Sequence, residues 1–427
     1  MWLLDKLLTS VIRRGHMIVT DHDGKIYEYG ASEGGEPPLK IRLTNRKASS
    51  HIARHPQVGA GEAFMWSWLV IDPPYDIRDL VLFFTMNSKQ QGDKAIQAQG
   101  PLKKLAERAL AAADSINPKG KARRNAEHTY NLTRRLYELF LDEDRQYTMA
   151  YFRDTNRTLE QAQLDKKAHI AAKMYIQPGM RILDIGCGWG GFALYLARNY
   201  DVEVLGVALA PDQIAFCQER AEEAGVADKV KFQLTDYRDV TGTFDRISSV
   251  GLLEHVGTPH YPEFFAHTNR LLKGDGVMFS HCCGRSGPPG HTDAWTRKYI
   301  FPGGYIPALS ELVTQSEKHG WQVADVEAMR FHYAHTLEEW YKRTVKHREE
   351  ITELYDEQFY RMWLFYLAGA EQSFRHGSMV NWQVLYVKDR AAIPMTRDYM
   401  LEEAERLRSV EEAPVWSLGA GNREAAE

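Results

Sequence analysis

The sequence predicts an α/β protein built on a parallel sheet, and three observations carry that expectation. From residue 181 onward, short β-rich runs alternate with stretches of helical periodicity, which is the pattern of βαβ units. A glycine cluster, Gly186-Cys187-Gly188-Trp189-Gly190-Gly191, sits where the first of those runs gives way to a helix. No unit of roughly 20 to 50 residues recurs along the chain, which sets solenoids and propellers aside.

In chain order, residues 1 to about 115 hold a short amphipathic start, a polar segment over 30–38 and the apolar run around Phe64-Met65-Trp66. They read as a smaller mixed α/β or α-rich unit. A basic stretch follows over 116–145 (Lys119, Lys121, Arg123, Arg124, Arg134, Arg135), read as a helical linker, either solvated or facing anionic lipid. Strands are expected at 181–185, 202–207, 230–234, 246–250 and 276–281, with helices between them. Two further β-like runs, 322–331 and 381–387, flank helical sequence crowded with Trp340, Tyr341, Tyr355, Phe359, Tyr360, Trp363, Phe365, Tyr366 and Phe374. That is more aromatic surface than one amphipathic face usually carries. Residues 396–427 read as an acidic helix and a frayed tail.

The 427 residues carry 53 basic and 57 acidic side chains, so no global cationic field draws in nucleic acid. The chain has only four cysteines, two of them adjacent (Cys282, Cys283), which argues against a secreted disulfide framework and for a reducing, cytoplasmic setting. The opening residues are broken by charge and do not read as a secretory signal, and no apolar run approaches the roughly 18 residues that span a bilayer. Contact with a membrane is therefore expected to be peripheral, through residues 1–14 or the basic stretch.

The glycine cluster frees the backbone to approach a ligand at a strand end and opens a helix whose first N–H groups are unpaired. Its spacing also fits a dinucleotide fingerprint, leaving NAD and S-adenosylmethionine both open. The flanking residues favour the second. The next strand ends Gly206-Val207-Ala208, with no ribose-binding carboxylate, while Asp184 stands two residues before Gly186, suited to a cationic ligand rather than a pyrophosphate.

Together with Gln146-Tyr147-Thr148-Met149-Ala150-Tyr151-Phe152, Ser249 to Gly257, His281-Cys282-Cys283-Gly284 and Lys298 to Gly304, this loop resembles the cyclopropane-fatty-acyl-phospholipid synthase family, with its related mycolic-acid methyltransferases. The resemblance covers nearly the whole chain, most firmly about 146–388. It implies a Rossmann-like class I S-adenosylmethionine-dependent methyltransferase domain over 146–395, with a helical acyl-chain cover at about 335–376, preceded by a smaller N-terminal lipid-contacting α/β domain. It further implies C-methylation of the cis double bond of unsaturated phospholipid acyl chains, giving a cyclopropane or a methyl-branched unsaturated chain, on the inner membrane surface. Homo-oligomerisation stays open.

Residue by residue, the resemblance implies that Asp184, Gly186 and Gly188 hold the methionine part of the cofactor and that Tyr147 and Thr148 close over its carboxylate. Gln213 would meet the ribose and Tyr237 the adenine. A bound bicarbonate would serve as base, held by Glu254, His281, Tyr333 and the main chain around Met149, and no metal is implied. A carboxylate beside an anion requires a shared proton or a cationic His281. The sequence departs from the family where Met149 replaces a cysteine, where Thr129 and Asn131 replace a histidine and an acid, where Cys283 replaces an isoleucine, and where Ala208 replaces a hydroxyl residue. These changes suggest loss of a different proton, giving branching in place of a ring. Two other readings are a methyltransferase of a soluble small molecule and a lipid-binding homologue without turnover.

Overall fold

A computed structural model describes residues 1–32, 34–91 and 132–412. Lys119, Lys121, Arg123, Arg124, Thr129, Asn131 and the tail beyond 412 lie outside the described residues.

The N-terminal part is a four-stranded sheet faced by helices. Strands β1 (His16–Thr20), β2 (Ile26–Gly30), β3 (Leu39–Leu43) and β4 (Leu69–Ile71) lie in the order β2-β1-β3-β4. Alternation decides which face is buried: Met17 and Val19 of β1, and Leu39, Ile41 and Leu43 of β3, point inward. The helix Trp2–Val11 places Leu4, Leu8 and Val11 on one side at spacings of four and three. Trp2 and Leu3 are left 66% and 44% exposed.

The second sheet has seven strands: β5 (Arg181–Ile185), β6 (Glu203–Ala208), β7 (Val230–Leu234), β8 (Phe244–Val250), β9 (Leu272–Arg285), β10 (Gln322–Met329) and β11 (Met379–Val387), in the order β10-β11-β9-β8-β5-β6-β7. From β9 to β7 neighbouring strands run parallel, while β11 and β10 are added antiparallel at one side. Connections leave β5 toward β6 on one side, whereas β8 lies on the other, so a crevice opens at the carboxyl ends of these strands.

β6, β8 and β11 depart from the expected bounds by one or two residues, and β9 and β10 differ for reasons the packing supplies. β9 runs beyond both ends of 276–281: Leu272 at its start pairs with Phe244 of β8, and β11 pairs with it continuously from Val277 to Arg285, satisfying the backbone even of its polar end. β10 stops at Met329, since the chain turns into the helix His332–Lys346. The basic stretch is helical only over Arg134–Phe140 among its described residues, and its two arginines there pair with Glu138 and Glu350.

The aromatic-rich region forms helices His332–Lys346, Arg348–Leu354 and Glu357–Arg375. Trp340 is fully buried, with Tyr147 stacked 5.2 Å away and Phe140 and Tyr333 edge-on. Its partner helix Glu357–Arg375 reaches the N-terminal part at the helix Ile77–Gln91: buried Glu371 takes a bidentate pair from Arg78, both contacts at 2.7 Å. Glu62 makes a second tie, receiving Lys298 Nζ at 2.7 Å and the Tyr299 hydroxyl at 2.8 Å. Burial pushes the Glu62 carboxyl up, but hydrogen bonds from Lys298, Tyr299 and His51 prevail and hold it below its ordinary range. No helix among the described residues is long and apolar enough to cross a membrane.

Candidate active site

A cavity of about 670 Å³ occupies the crevice at the strand ends and runs under the helical cover. Tyr147, Thr148, Met149, Asp184, Gly186, Gly188, Gln213, Tyr237, Glu254, His281 and Tyr333 all line it. Ala208 and Cys283, two of the positions where the sequence departs from the family, line it as well.

One end is built by the turn after β5. Gly186 and Gly188 take φ of +77° and +54°, a left-handed backbone that side chains resist. Gly191 opens the next helix against the 144–146 segment, where a Cβ would press on the Asp144 carboxylate that Lys167 and Arg220 hold in place, so the packing favours glycine.

Asp184 is 3% exposed and accepts from Ser248 Oγ at 2.7 Å. Burial pushes its carboxyl up to about 6, against the pull of Ser248 and Lys166. Across the same cavity stands a residue the sequence reading missed. Lys166 is 1% exposed and donates to Gln146 Oε1 at 2.6 Å and Thr148 Oγ1 at 2.9 Å, both neutral acceptors. Burial brings its ammonium down to about 7, with Asp142, Asp144 and Asp184 opposing. Opposite charges act on both groups from a distance, but among the described residues neither the Asp184 carboxyl nor the Lys166 ammonium is in direct ion-pair contact. The pair therefore matches the zwitterionic amino-acid end of S-adenosylmethionine. The Thr158/Gln161 capping box marks the start of the helix Leu159–Lys173, whose period aligns Ala162, Lys166, Ile170 and Lys173, but burial of the consecutive Asp165, Lys166 and Lys167 is not a pattern the sequence signals.

The other half of the site joins β8 to β9. Gly251 N–H donates to the His281 carbonyl at 2.8 Å, and the short helix Leu253–Val256 turns Glu254 inward. Glu254 Oε1 accepts from the Cys283 main-chain N–H at 2.5 Å, while Oε2 is buried without a partner. Burial raises this carboxyl to about 7 in spite of the Cys283 bond. His281, 1% exposed, falls to about 3, because burial and the nearby Lys166, Lys173 and His169 disfavour its charge. Of the two alternatives, a shared proton or a cationic His281, the burial of both groups favours a proton held at Glu254. Successive inward positions of β9 are His281 and Cys283, whereas Cys282 is buried on the opposite face. Above them Tyr333 packs on Phe374 at 4.8 Å, and Leu337, Phe365 and Tyr366 continue an apolar wall.

This arrangement has relatives. Residues 117–384 match the family model described as mycolic acid cyclopropane synthetase. The cyclopropane-fatty-acyl-phospholipid synthase of Escherichia coli K12 is 36% identical over 360 residues, covering 84% of this chain and 90% of that protein. The tuberculostearic acid methyltransferase UfaA1 of Mycobacterium tuberculosis is 30% identical over 388 residues, 84% of this chain and 85% of its own length. Among solved structures, the mycolic acid cyclopropane synthase CmaA1 complexed with SAH and CTAB superposes with a TM-score of 0.59 at 30% identity, covering 64% of this chain and 99% of that one. With its class I methyltransferase sheet and its match over most of the sequence, the chain belongs to the cyclopropane-fatty-acyl-phospholipid synthase family.

Proposed function

We propose that this protein methylates the cis double bond of unsaturated acyl chains of phospholipids, using S-adenosylmethionine, and that it does so while resting peripherally on a membrane. One observation carries the reading: a single cavity joins a charge-complementary amino-acid cradle, Asp184 and Lys166, to an apolar wall, with the half-satisfied Glu254 between.

S-adenosylmethionine, when bound, supplies an electrophilic methyl group on a sulfonium centre. Asp184 and Lys166 fix its charged end, and Gln213 and Tyr237 line the space for the nucleoside. An alkene carbon has no proton to lose before it attacks, so the chain's first task is alignment. Leu337, Tyr333, Phe365 and Phe374 exclude water from the positive charge left on the acyl chain, and the aromatic faces among them stabilise it. With Glu254 protonated and His281 neutral, the site is built to receive an anion. Glu254 Oε2, His281, Tyr333 and the main chain at Met149 would hold bicarbonate, which supplies a base where the side chains themselves are poor ones. Met149 and Cys283 shape the space beside the new methyl group, which supports a branched unsaturated product over a ring. Exposed Trp2 and Leu3 support insertion of the first helix into a lipid surface.

Two experiments test this. In lipids of a host expressing the protein, mass analysis should show acyl chains gaining one CH₂ unit with the double bond retained and open to hydrogenation. A gain that resists mild hydrogenation indicates the ring, and no gain at all sinks the reading. Separately, Lys166→Met should weaken S-adenosylhomocysteine binding by about tenfold or more, from loss of a charged hydrogen bond. Binding of 5′-methylthioadenosine, which lacks the amino-acid end, should stay the same. Equal losses for both ligands by calorimetry would remove Lys166 from the carboxylate.

A further inference from the structure

Behind His281, on the side away from Cys283, a buried file of polar side chains runs from β11 to the helix Leu159–Lys173. Gln383 faces His281 directly across the β9–β11 pairing, and its Nε2 lies 3.1 Å from His281 Nδ1. Gln383 Oε1 accepts from Lys173 Nζ at 2.8 Å. Lys173 also donates to Glu327 Oε2 at 2.5 Å, and the same oxygen meets His169 Nε2 at 2.8 Å. Lys173, Gln383 and His281 are 3%, 1% and 1% exposed, so water does not compete for these contacts.

An ammonium group has donors only. Turning the Gln383 amide over would press its NH₂ against Lys173, so the amide has one orientation, with N–H directed at His281 Nδ1. A neutral imidazole that accepts at Nδ1 carries its hydrogen on Nε2. We infer that Gln383, oriented by Lys173, is a positioning residue that fixes His281 as the Nε2–H tautomer, so that the ring presents a donor on the side of Asn381 and Cys283.

Asn381 bears on the other ring nitrogen. Its Nδ2 lies 3.3 Å from His281 Nε2 and 3.6 Å from Cys283 Sγ, while Oδ1 is buried without a partner. With the hydrogen on Nε2, two donors would meet there. Reversing the Asn381 amide removes that clash: Oδ1 then faces the Nε2 hydrogen and the Cys283 thiol, and Nδ2 takes the place where Oδ1 has no partner. The charges around the ring keep it neutral: Lys166, Lys173 and His169 oppose protonation and only Glu327 favours it, at a site where burial already disfavours a cation. An anion or a polarised oxygen entering the cavity would compete with Asn381 Oδ1 for that one N–H, and a neutral ring can answer it only as a donor from Nε2. The catalytic consequence rests on the function proposed above, but the tautomer does not.

The test uses the full chain labelled with ¹⁵N in its histidine rings, with His281 assigned by the signals that His281→Asn removes. In the parent, His281 should show a protonated Nε2 and an unprotonated Nδ1, unchanged between about pH 6 and 9. Gln383→Glu places an acceptor opposite Nδ1, so the hydrogen should move to Nδ1 or the ring should become cationic. Lys173→Met frees the amide to turn, and both tautomers should appear. In Gln383→Glu, kcat should fall by about tenfold or more while KM for S-adenosylmethionine changes by less than about twofold. A parent ring protonated at Nδ1, or cationic at neutral pH, overturns the inference, as does a Gln383→Glu ring with the parent's tautomer. If the tautomers follow this pattern while kcat is unaffected, the lock stands and the catalytic reading of His281 fails.

Discussion

Glu254→Gln should reduce turnover by about 10²-fold to 10⁴-fold while leaving S-adenosylhomocysteine affinity within about twofold. Glutamine is the same size and its Oε1 can still accept from the Cys283 main-chain N–H, as Glu254 Oε1 does. Its NH₂ still donates, so what disappears is the ionisable proton that Oε2 can share with an anion. A stability effect of opposite sign should accompany the loss. The Glu254 carboxyl is raised from 4.5 to about 7, so the folded chain binds more protons than the unfolded one between those values. This contribution is fully present below pH 4.5 and is lost as pH rises through about 7. The variant lacks that decline, so compared with the parent it should gain stability from acid to neutral pH. Denaturant titrations of both proteins across that window, beside the activity assay, check the two halves together. A variant with full turnover removes Glu254 from the chemistry.

Trp340→Ala should be the most destabilising single truncation in the helical cover, at about 3–5 kcal/mol. The indole is wholly buried and touches Phe140 and Tyr147 from the segment before the second sheet and Tyr333 two turns earlier on its own helix. The surroundings cannot all collapse into one vacancy. Tyr147 loses the ring stacked on it, so cofactor affinity should fall alongside stability, whereas Trp340→Phe should restore much of both. Chemical denaturation and ligand titration of the two variants check this. A Trp340→Ala protein that unfolds at the parent's denaturant midpoint contradicts the packing argument.

In the parallel half, β5 was legible as an apolar run buried on both faces and ended by Gly186, and the edge strand β7 by alternation, with Val230 and Phe232 inward and Lys231 and Gln233 outward; both fall on the expected residues. The ends of β9 were not, since Lys273-Gly274-Asp275 looks like a turn and His281 to Arg285 looks polar, and only pairing with β8 and β11 makes them strand. In the site, residues named through family words line the cavity, because such words mark backbone turns and inward strand positions. Lys166, Lys173 and Gln383 escaped notice for a common reason. Adjacent charges such as Lys166 and Lys167 read as a solvated face, and a glutamine in a strand carries no motif. Their roles follow from which partner each one meets once buried.

The facing charges of Asp184 and Lys166 also bear on what happens after the reaction. On the proposed reading they would recognise an amino-acid end that methyl transfer leaves untouched, so the spent cofactor would keep most of the handles by which the fresh one was held. Such a cradle would grip what it must release, and the demethylated thioether should compete with fresh cofactor for the same charges.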